Sequence, residues 1–366
     1  MRLNNNKQAF FELMKAGLWE KSVRLSPYGD IDFSEVQKLA EEQSVVGLIA
    51  AGLEHVEDRK PVKQDVIQFI AQTLQLEQQN FAMNYFIGVI IDKMRAEGIH
   101  ALLVKGQGIA QCYERPLWRA CGDVDLFLDE KNYQKAKSFL VPLSSSIEEE
   151  DIHRLHLGMT IDPWVVELHG TMRSAISRKL DYVIDEVQNR VFQDGEVRGW
   201  KNGDTEVFLP SADNDIVLVF THFIKHFYVG GIGLRQICDW CRLLWTYRDS
   251  LNLGLLESRI REARLMTEWK AFASFAIIWL GMPKEAMPFH ENSKIYKTKA
   301  NRICNLILEA GDFGHNKDDS YRSRYSGLVS IVITFCRRLG EFSKVMTVFP
   351  GNAPKFFVGY VFSRFA

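Results

Sequence analysis

The chain has 366 residues, of which 46% are hydrophobic and 25% are charged, as in ordinary soluble globular proteins. Its 45 lysines and arginines nearly balance its 46 aspartates and glutamates, so no overall basic field attracts nucleic acid, and we do not expect RNA or DNA as a partner. A chain of this length can bury a large core, and its length predicts two or three subdomains.

The first region, residues 1–98, is predicted to be helical. Apolar residues recur at three- and four-residue spacing in three stretches, 10–19, 33–56 and 65–98. Asp32 is expected to cap the second helix, and Gly98 is expected to end the third. The polar start of the chain does not resemble a secretory signal, and the six cysteines are scattered, so we expect reduced thiols in a cytoplasmic protein.

In residues 99–210 short apolar strands alternate with helices, which predicts a small mixed sheet that carries the chemistry. Asp162-Pro163 is a turn pair and is expected to join two of these strands into a hairpin. A second hairpin is expected over 197–210. The predicted strands are 100–106, 123–129, 153–161 and 164–170, and the predicted helices are 108–115 and 131–143.

The last region, residues 211–366, returns to a helical pattern, with clear helices predicted at 214–229, 234–247 and 267–281. The fold class expected is therefore α+β, with helical regions on both sides of the sheet. The apolar stretch 327–336 is about half the length that a bilayer requires. The aromatic and basic tail leaves peripheral membrane contact open, although we favour a tail packed on the core.

Two aspartates open the strand at 123–129. Val124, Leu126 and Leu128 are expected to point to one face and Asp123 and Asp125 to the other, with Cα atoms roughly 6.6 Å apart. Like charges this close are costly unless a cation neutralises them, so the pair indicates a site for divalent metal ions. The alternative is a solvated strand edge with two exposed carboxylates.

A third carboxylate is expected from a neighbouring strand. In the apolar stretch 164–170, Glu167 and His169 share the face opposite to Val166 and Leu168. Three carboxylates form an oxygen-rich site that suits Mg²⁺ or Mn²⁺, and Glu167 is also a candidate to help deprotonate an attacking hydroxyl. The alternative is a surface glutamate on an edge strand.

Phosphate contacts are expected from the segment that precedes the aspartates. Lys105, Gly106 and Gln107 follow a strand and precede a helix, where a glycine permits close approach of a phosphate and the lysine supplies charge. Arg119, four residues before Asp123, is a candidate triphosphate ligand. Its alternative role is an ion pair that holds the loop.

Other polar residues give weaker signals. His222 and His226 have the i, i+4 spacing of metal ligands on a helix, but no glutamate follows His222, so we interpret them as core or acceptor-site histidines. Cys238 and Cys241 lack a second cysteine pair and are interpreted as packing residues. His153 and His156 stay undecided.

The span from Val104 to Leu128, VKGQGIAQCYERPLWRACGDVDLFL, resembles bacterial nucleotidyltransferases of the polymerase-beta-like superfamily. The resemblance rests on a Lys-Gly turn, a helix, then Tyr, Pro and Arg before the Asp-x-Asp strand, and VVELHG is similar to a later strand of that family. Many superfamily members have Gly-Ser where this chain has Gly106-Gln107. In the segment LRQICDWCRLL, Arg235 and Asp239 match the family's downstream helix.

The resemblance implies NTP as donor, a divalent metal ion, and Asp123, Asp125 and Glu167 as catalytic metal ligands. With Lys105, Gly106, Gln107 and Arg119 as nucleotide ligands, we expect transfer of a nucleoside monophosphate to an acceptor. His169, Arg235 and Asp239 are expected near the acceptor or behind the ligands. A small-molecule acceptor such as a sugar phosphate, in surface-polysaccharide metabolism, is favoured; a protein acceptor (adenylylation) and a non-catalytic nucleotide-binding or partner-binding protein are the alternatives.

Overall fold

The computed structural model describes residues 3–59, 61–174, 176–312 and 339–365, with side chains described up to residue 359. Asp32 caps the second helix by accepting a hydrogen bond from the Ser34 amide, as predicted. Gly98, with φ +65°, follows the fourth helix, where its amide bonds the Arg95 carbonyl. The N-terminal helices are α1 (Asn5–Trp19), α2 (Phe33–Glu42), α3 (Val46–Glu54) and α4 (Lys63–Ala96).

The single helix predicted over 33–56 is wrong, because the chain breaks between α2 and α3. Ser44 has φ +55°, which a continuing right-handed helix does not allow. The buried Gln43 side chain accepts a hydrogen bond from the Leu234 amide at 3.1 Å and donates one to the Ile307 carbonyl at 3.2 Å. These bonds to distant helices stabilise the break. The local spacing of apolar residues gives no sign of them.

A mixed five-stranded sheet lies at the centre of the chain, and its strands are β1 (Leu102–Val104), β2 (Asp123–Phe127), β3 (Ser146–Ile147), β4 (His156–Ile161) and β5 (Trp164–His169). Their order in the sheet is β1-β2-β5-β4-β3. Strands β2 and β5 are parallel and all other pairs are antiparallel, which confirms the predicted small mixed sheet. The two-residue edge strand β3 was not predicted. The helices between the strands are α5 (Gly106–Ala110) and α6 (Glu130–Leu140).

The two faces of the sheet have different coverings. Val124, Leu126 and Leu128 are fully buried in an apolar core that the sheet shares with α4 and α6. The opposite face carries Asp123 and Asp125. The pleat thus places the apolar side chains and the carboxylates on opposite sides, as their alternation predicts.

The remainder of the chain supplies the cover for the polar face. The predicted hairpin is formed by β6 (Val197–Asn202) and β7 (Thr205–Pro210). A second, larger apolar core joins the N-terminal helices to the C-terminal ones. The helices after the sheet are α7 (Arg178–Phe192), α8 (Ala212–Val229), α9 (Leu234–Tyr247), α10 (Leu253–Glu262), α11 (Met266–Trp279), α12 (Lys294–Ala310) and α13 (Ala353–Phe365). Residues 339–346 are also helical.

The C-terminal tail packs against the rest of the protein in its described part. The ring of Phe356, near the start of α13, lies 4.7 Å from that of Tyr228 on α8. The apolar stretch 327–336 lies outside the described residues. None of the helices in the described ranges combines the length and the apolar character that a membrane crossing requires.

Candidate functional site

The structure brings three carboxylates together at the open face of the sheet. Asp123 and Asp125 lie on β2, and the parallel register places Asp125 beside Glu167 of β5. One oxygen from each of the three carboxylates lies within 4.8 Å of the others. This spacing allows all three side chains to contact one or two cations.

The charges of this carboxylate cluster (Asp123, Asp125 and Glu167) are only partly compensated. Asp125, which is 2% exposed, accepts hydrogen bonds from Lys105 Nζ and His169 Nε2, both at 2.7 Å. Burial alone would raise the pKa of Asp125, but Lys105 and His169 lower it. The pKa of Asp123 is raised, because the Asp125 carboxylate repels its charge and burial removes water. A divalent cation would relieve this repulsion, so the residues present fit a metal ion.

Two histidines extend the cluster on the side of β4. The hairpin register places His156 opposite His169, and their ring centroids lie 4.8 Å apart. The Nε2 atoms of both rings lie 3.3 Å from Glu167 Oε2. The pKa of Glu167 is lowered, because His156 and His169 hydrogen-bond its ionised form. His169 therefore contacts two of the three carboxylates, Asp125 and Glu167.

The Lys105-Gly106 turn lies against the aspartates. Lys105 has φ +57°, an uncommon conformation for a residue with a side chain, and Gly106 has φ +38°. A Cβ on Gly106 would lie 3.0 Å from Cys121 Sγ in the loop that leads to β2. This close approach explains why a glycine occupies position 106. The turn holds Lys105 at hydrogen-bonding distance from Asp125.

Gln107 is directed into the protein interior. Its side chain is 1% exposed, and its Nε2 donates a hydrogen bond to Asn80 Oδ1 at 2.7 Å. Asn80 in turn donates to the carbonyls of Leu117 and Arg119, at 2.7 and 2.8 Å. The Gln107 amide thus supports the loop before β2 and is not brought to the carboxylate cluster.

Arg119 forms a buried ion pair with Asp239 of α9. Its Nε and Nη2 atoms donate to the two carboxylate oxygens at 3.0 and 2.6 Å, and Tyr113 donates its hydroxyl to the same carboxylate at 2.8 Å. Burial disfavours the Arg119 cation, but Asp239 raises the pKa of the arginine above its ordinary value. This geometry matches the alternative stated for Arg119, an ion pair that holds the loop, and it places Asp239 in the same pair.

Two cavities open beside the carboxylate cluster. The smaller one, about 50 Å³, is lined by the Lys105-Gly106 turn, both aspartates, the Arg119–Asp239 pair and Arg235 of α9. Arg235 donates to the Ala120 carbonyl at 3.1 Å and lies 3.3 Å from Asp312. The larger cavity, about 250 Å³, lies on the side of β4 and β5 and includes Glu167. The small cavity thus includes both aspartates and the larger one includes Glu167, and Lys105 and His222 line both.

Helix α8 brings to the larger cavity His222 and His226, interpreted from the sequence as core or acceptor-site histidines, and Lys225, which the sequence analysis did not single out. His222, Lys225 and His226 line it, together with Arg154 from the loop before β4. Burial lowers the pKa of His222 well below its usual range and that of His226 to about 3, so both rings are neutral at neutral pH. The signal that sequence offers is the i, i+3, i+4 spacing of three polar residues on an otherwise apolar helix.

The cysteines of the described residues are free thiols. Cys238 and Cys241 are buried and unpaired, as are the other cysteines within the described residues, Cys112, Cys121 and Cys304.

His156, whose place the sequence left undecided, contacts the carboxylate cluster because it faces His169 across the hairpin. Its position follows from the pairing that the Asp162-Pro163 turn imposes, so the register offered a signal that sequence reasoning did not use.

No curated protein and no protein of solved structure matches the chain at a significant level. A family model does match, over residues 29–281, and its description is uncharacterised nucleotidyltransferase. The match includes the five-stranded sheet, the carboxylate cluster and the helices α8 and α9 that cover it. The chain therefore belongs to this family of uncharacterised nucleotidyltransferases.

Proposed function

We propose that the protein is a metal-dependent enzyme of the polymerase-beta-like type that transfers a nucleoside monophosphate from an NTP to an acceptor. One observation supports this above all others: three carboxylates on adjacent parallel strands lie within 4.8 Å of one another in a chain of a nucleotidyltransferase family. Asp123, Asp125 and Glu167 would hold Mg²⁺ or Mn²⁺, both of which prefer oxygen ligands. The bound ion would supply charge neutralisation at the reacting phosphate.

The turn side of the cluster suits the triphosphate. Lys105 Nζ is already 2.7 Å from Asp125, and the guanidinium of Arg235 lines the same small cavity. Cations at these positions offset the charge of the phosphates and of the departing pyrophosphate. In this proposal Lys105 and Arg235 contact the donor, whereas Arg119 and the Gln107 side chain stabilise the loop.

The reaction needs no redox partner. An acceptor oxygen forms a bond to the α-phosphorus of the NTP, and the bond between that phosphorus and the bridging oxygen to the β-phosphate breaks. Pyrophosphate leaves with the bonding electron pair. When the acceptor is a hydroxyl, its proton passes to the Glu167–His156 pair, whose atoms lie 3.3 Å apart on the side of the larger cavity.

The acceptor is proposed to be a small molecule, because the cavity beside Glu167 has a volume of about 250 Å³. A sugar phosphate of surface-polysaccharide metabolism is one member of this class. Protein adenylylation is the second enzymatic candidate, and binding without turnover is the non-enzymatic one.

The test incubates the purified protein with Mg²⁺, an NTP labelled at the α-phosphate and a cell extract. Label in a small molecule supports the proposal, and label in a protein band indicates protein modification. The Glu167→Gln variant should abolish either product, since it removes one proposed metal ligand and the proton acceptor. If neither the small molecules nor the proteins carry label and the protein still binds NTP, its function would be binding without turnover.

A further inference from the structure

The larger cavity carries more positive than negative charge. Its lining includes the cationic side chains Lys105, Arg154, Arg173 and Lys225, and the carboxylates Asp151 and Glu167. The four histidines of the lining add hydrogen-bonding groups. A chamber of this composition favours an anionic ligand over a neutral one.

Three of the four cations have a carboxylate partner. Lys105 lies 2.7 Å from Asp125, and Arg154 lies 3.5 Å from Asp151. Arg173 donates two hydrogen bonds of 2.6 Å to Asp185 of α7. Lys225 differs from these three, because it forms no ion pair with any carboxylate in the part of the chain that the structure describes.

Lys225 also lies in an environment that disfavours its charge. It is half-buried on α8, beside His226 and three residues after His222, whose partly buried rings lie 4.5 Å apart. Burial and the charges of Arg154 and Lys105 outweigh the opposing charges of Asp181 and Glu167 and lower the pKa of Lys225 to about 8, so the ammonium is still mostly protonated at neutral pH. An unpaired cation in such a place costs free energy unless an anion binds beside it.

We propose that the larger cavity binds an acceptor that carries a phosphate group, with Lys225 as the residue that anchors this phosphate. The inference rests on the proposed function and makes it more specific. The chamber contains Glu167 but neither Asp123 nor Gly106, whereas the small cavity assigned to the donor contains Asp123 and Gly106 but not Glu167, and Lys105 lines both. Its volume of about 250 Å³ is suited to a small phosphorylated molecule.

The experiment measures binding of inorganic phosphate to the full chain by calorimetry. Mg²⁺ and an NTP whose α,β-bridging oxygen is replaced by a methylene group are present at saturation, so that the donor site is filled and cannot react. Lys225→Met keeps the length and apolar stem of the side chain and removes the charge. Lys225→Arg keeps the charge, and Lys131→Met, at an exposed position of α6 outside both cavities, is the matched control.

The wild type should bind phosphate beside the bound NTP analogue, and Lys225→Met should weaken this binding by roughly 10- to 100-fold, the usual effect of losing a charge-assisted contact. Lys225→Arg should restore most of the affinity, and Lys131→Met should leave it unchanged. The affinity for the NTP analogue should change less than about twofold in all three variants.

Two results would overturn the inference while the proposed function stands. One is a wild type that binds the NTP analogue but no phosphate beside it. The other is a Lys225→Met variant that loses NTP affinity as strongly as phosphate affinity, because Lys225 would then contact the triphosphate. Failure of the wild type to bind the NTP analogue at all would contradict the proposed function itself, and the inference with it.

Discussion

The carboxylate cluster and the Arg119–Asp239 ion pair lie close together in the chain, since Arg119 and Asp123 are separated by three residues, yet their charges are arranged in opposite ways. Arg119 and Asp239 neutralise each other through two hydrogen bonds, with Tyr113 as a third partner. Among the described residues, Lys105 is the one ammonium that forms an ion pair with the cluster of Asp123, Asp125 and Glu167. Breaking a compensated buried pair destabilises the fold, whereas a partly compensated cluster is suited to a ligand that brings the missing charge.

The largest effect is expected from Arg119→Leu. The variant leaves Asp239 as a buried carboxylate without its cation, which should lower the free energy of unfolding by about 3 to 5 kcal/mol. Urea denaturation measures this loss. Arg173→Leu is the matched control, since it breaks an exposed ion pair with Asp185 and should cost at most about 1 kcal/mol. Equal losses in the two variants would refute the structural role assigned to Arg119.

The second-largest effect is expected from the loss of one carboxylate of the carboxylate cluster. Asp123→Asn should weaken Mg²⁺-dependent NTP binding by roughly 100-fold or more, because it removes one charged ligand from the proposed metal site. Its fold should stay intact, since Asp123 has no ion-pair partner among the described residues. Calorimetric titration with NTP and Mg²⁺ checks this, with Asp204→Asn in the exposed β6–β7 turn as control. Wild-type affinity in Asp123→Asn would contradict the metal site.

A smaller effect is expected from Gln107→Ala. The variant leaves buried Asn80 Oδ1 without its hydrogen-bond donor, which should lower the free energy of unfolding by about 1 to 3 kcal/mol. The dissociation constant for the NTP should stay within about twofold of the wild type, because the amide does not reach the cluster. Gln111→Ala, one turn later and only half-buried, is the control. A tenfold loss of NTP affinity in Gln107→Ala alone would show a phosphate contact instead.

The smallest effect is a pH dependence of stability in EDTA. The folded-state pKa of Asp123 is raised above its unfolded value, mainly by the Asp125 carboxylate, so the stability that its protonated form contributes is lost as the pH rises through the folded pKa. Asp123→Asn lacks this loss. Its free energy of unfolding, relative to the wild type, should therefore increase between pH 4 and pH 8. A difference that does not vary with pH would show that the repulsion within the cluster is negligible.

Much of the site was predictable because strand periodicity fixes which side chains share a face. The alternation in β2 placed Asp123 and Asp125 opposite to Val124 and Leu126, and the same rule paired Glu167 with His169. The break at Ser44 was not predictable, because it depends on Gln43 bonding to helices that follow it by about 190 and 260 residues. The role of Arg119 stayed open for the same reason, since its partner lies 120 residues away.

By itself, the sequence determined the α+β class, the small central sheet and the face on which the aspartates lie. Each of these depends on the local spacing of apolar and polar residues, because the period of a strand or helix fixes which side chains point to the same face. Only the tertiary structure decided that Arg119 pairs with Asp239 and that α8 places Lys225 over the hairpin side of the cluster. The local spacing of apolar residues predicts that one face of a strand or helix is buried. Which distant element covers that face depends on how the whole core packs.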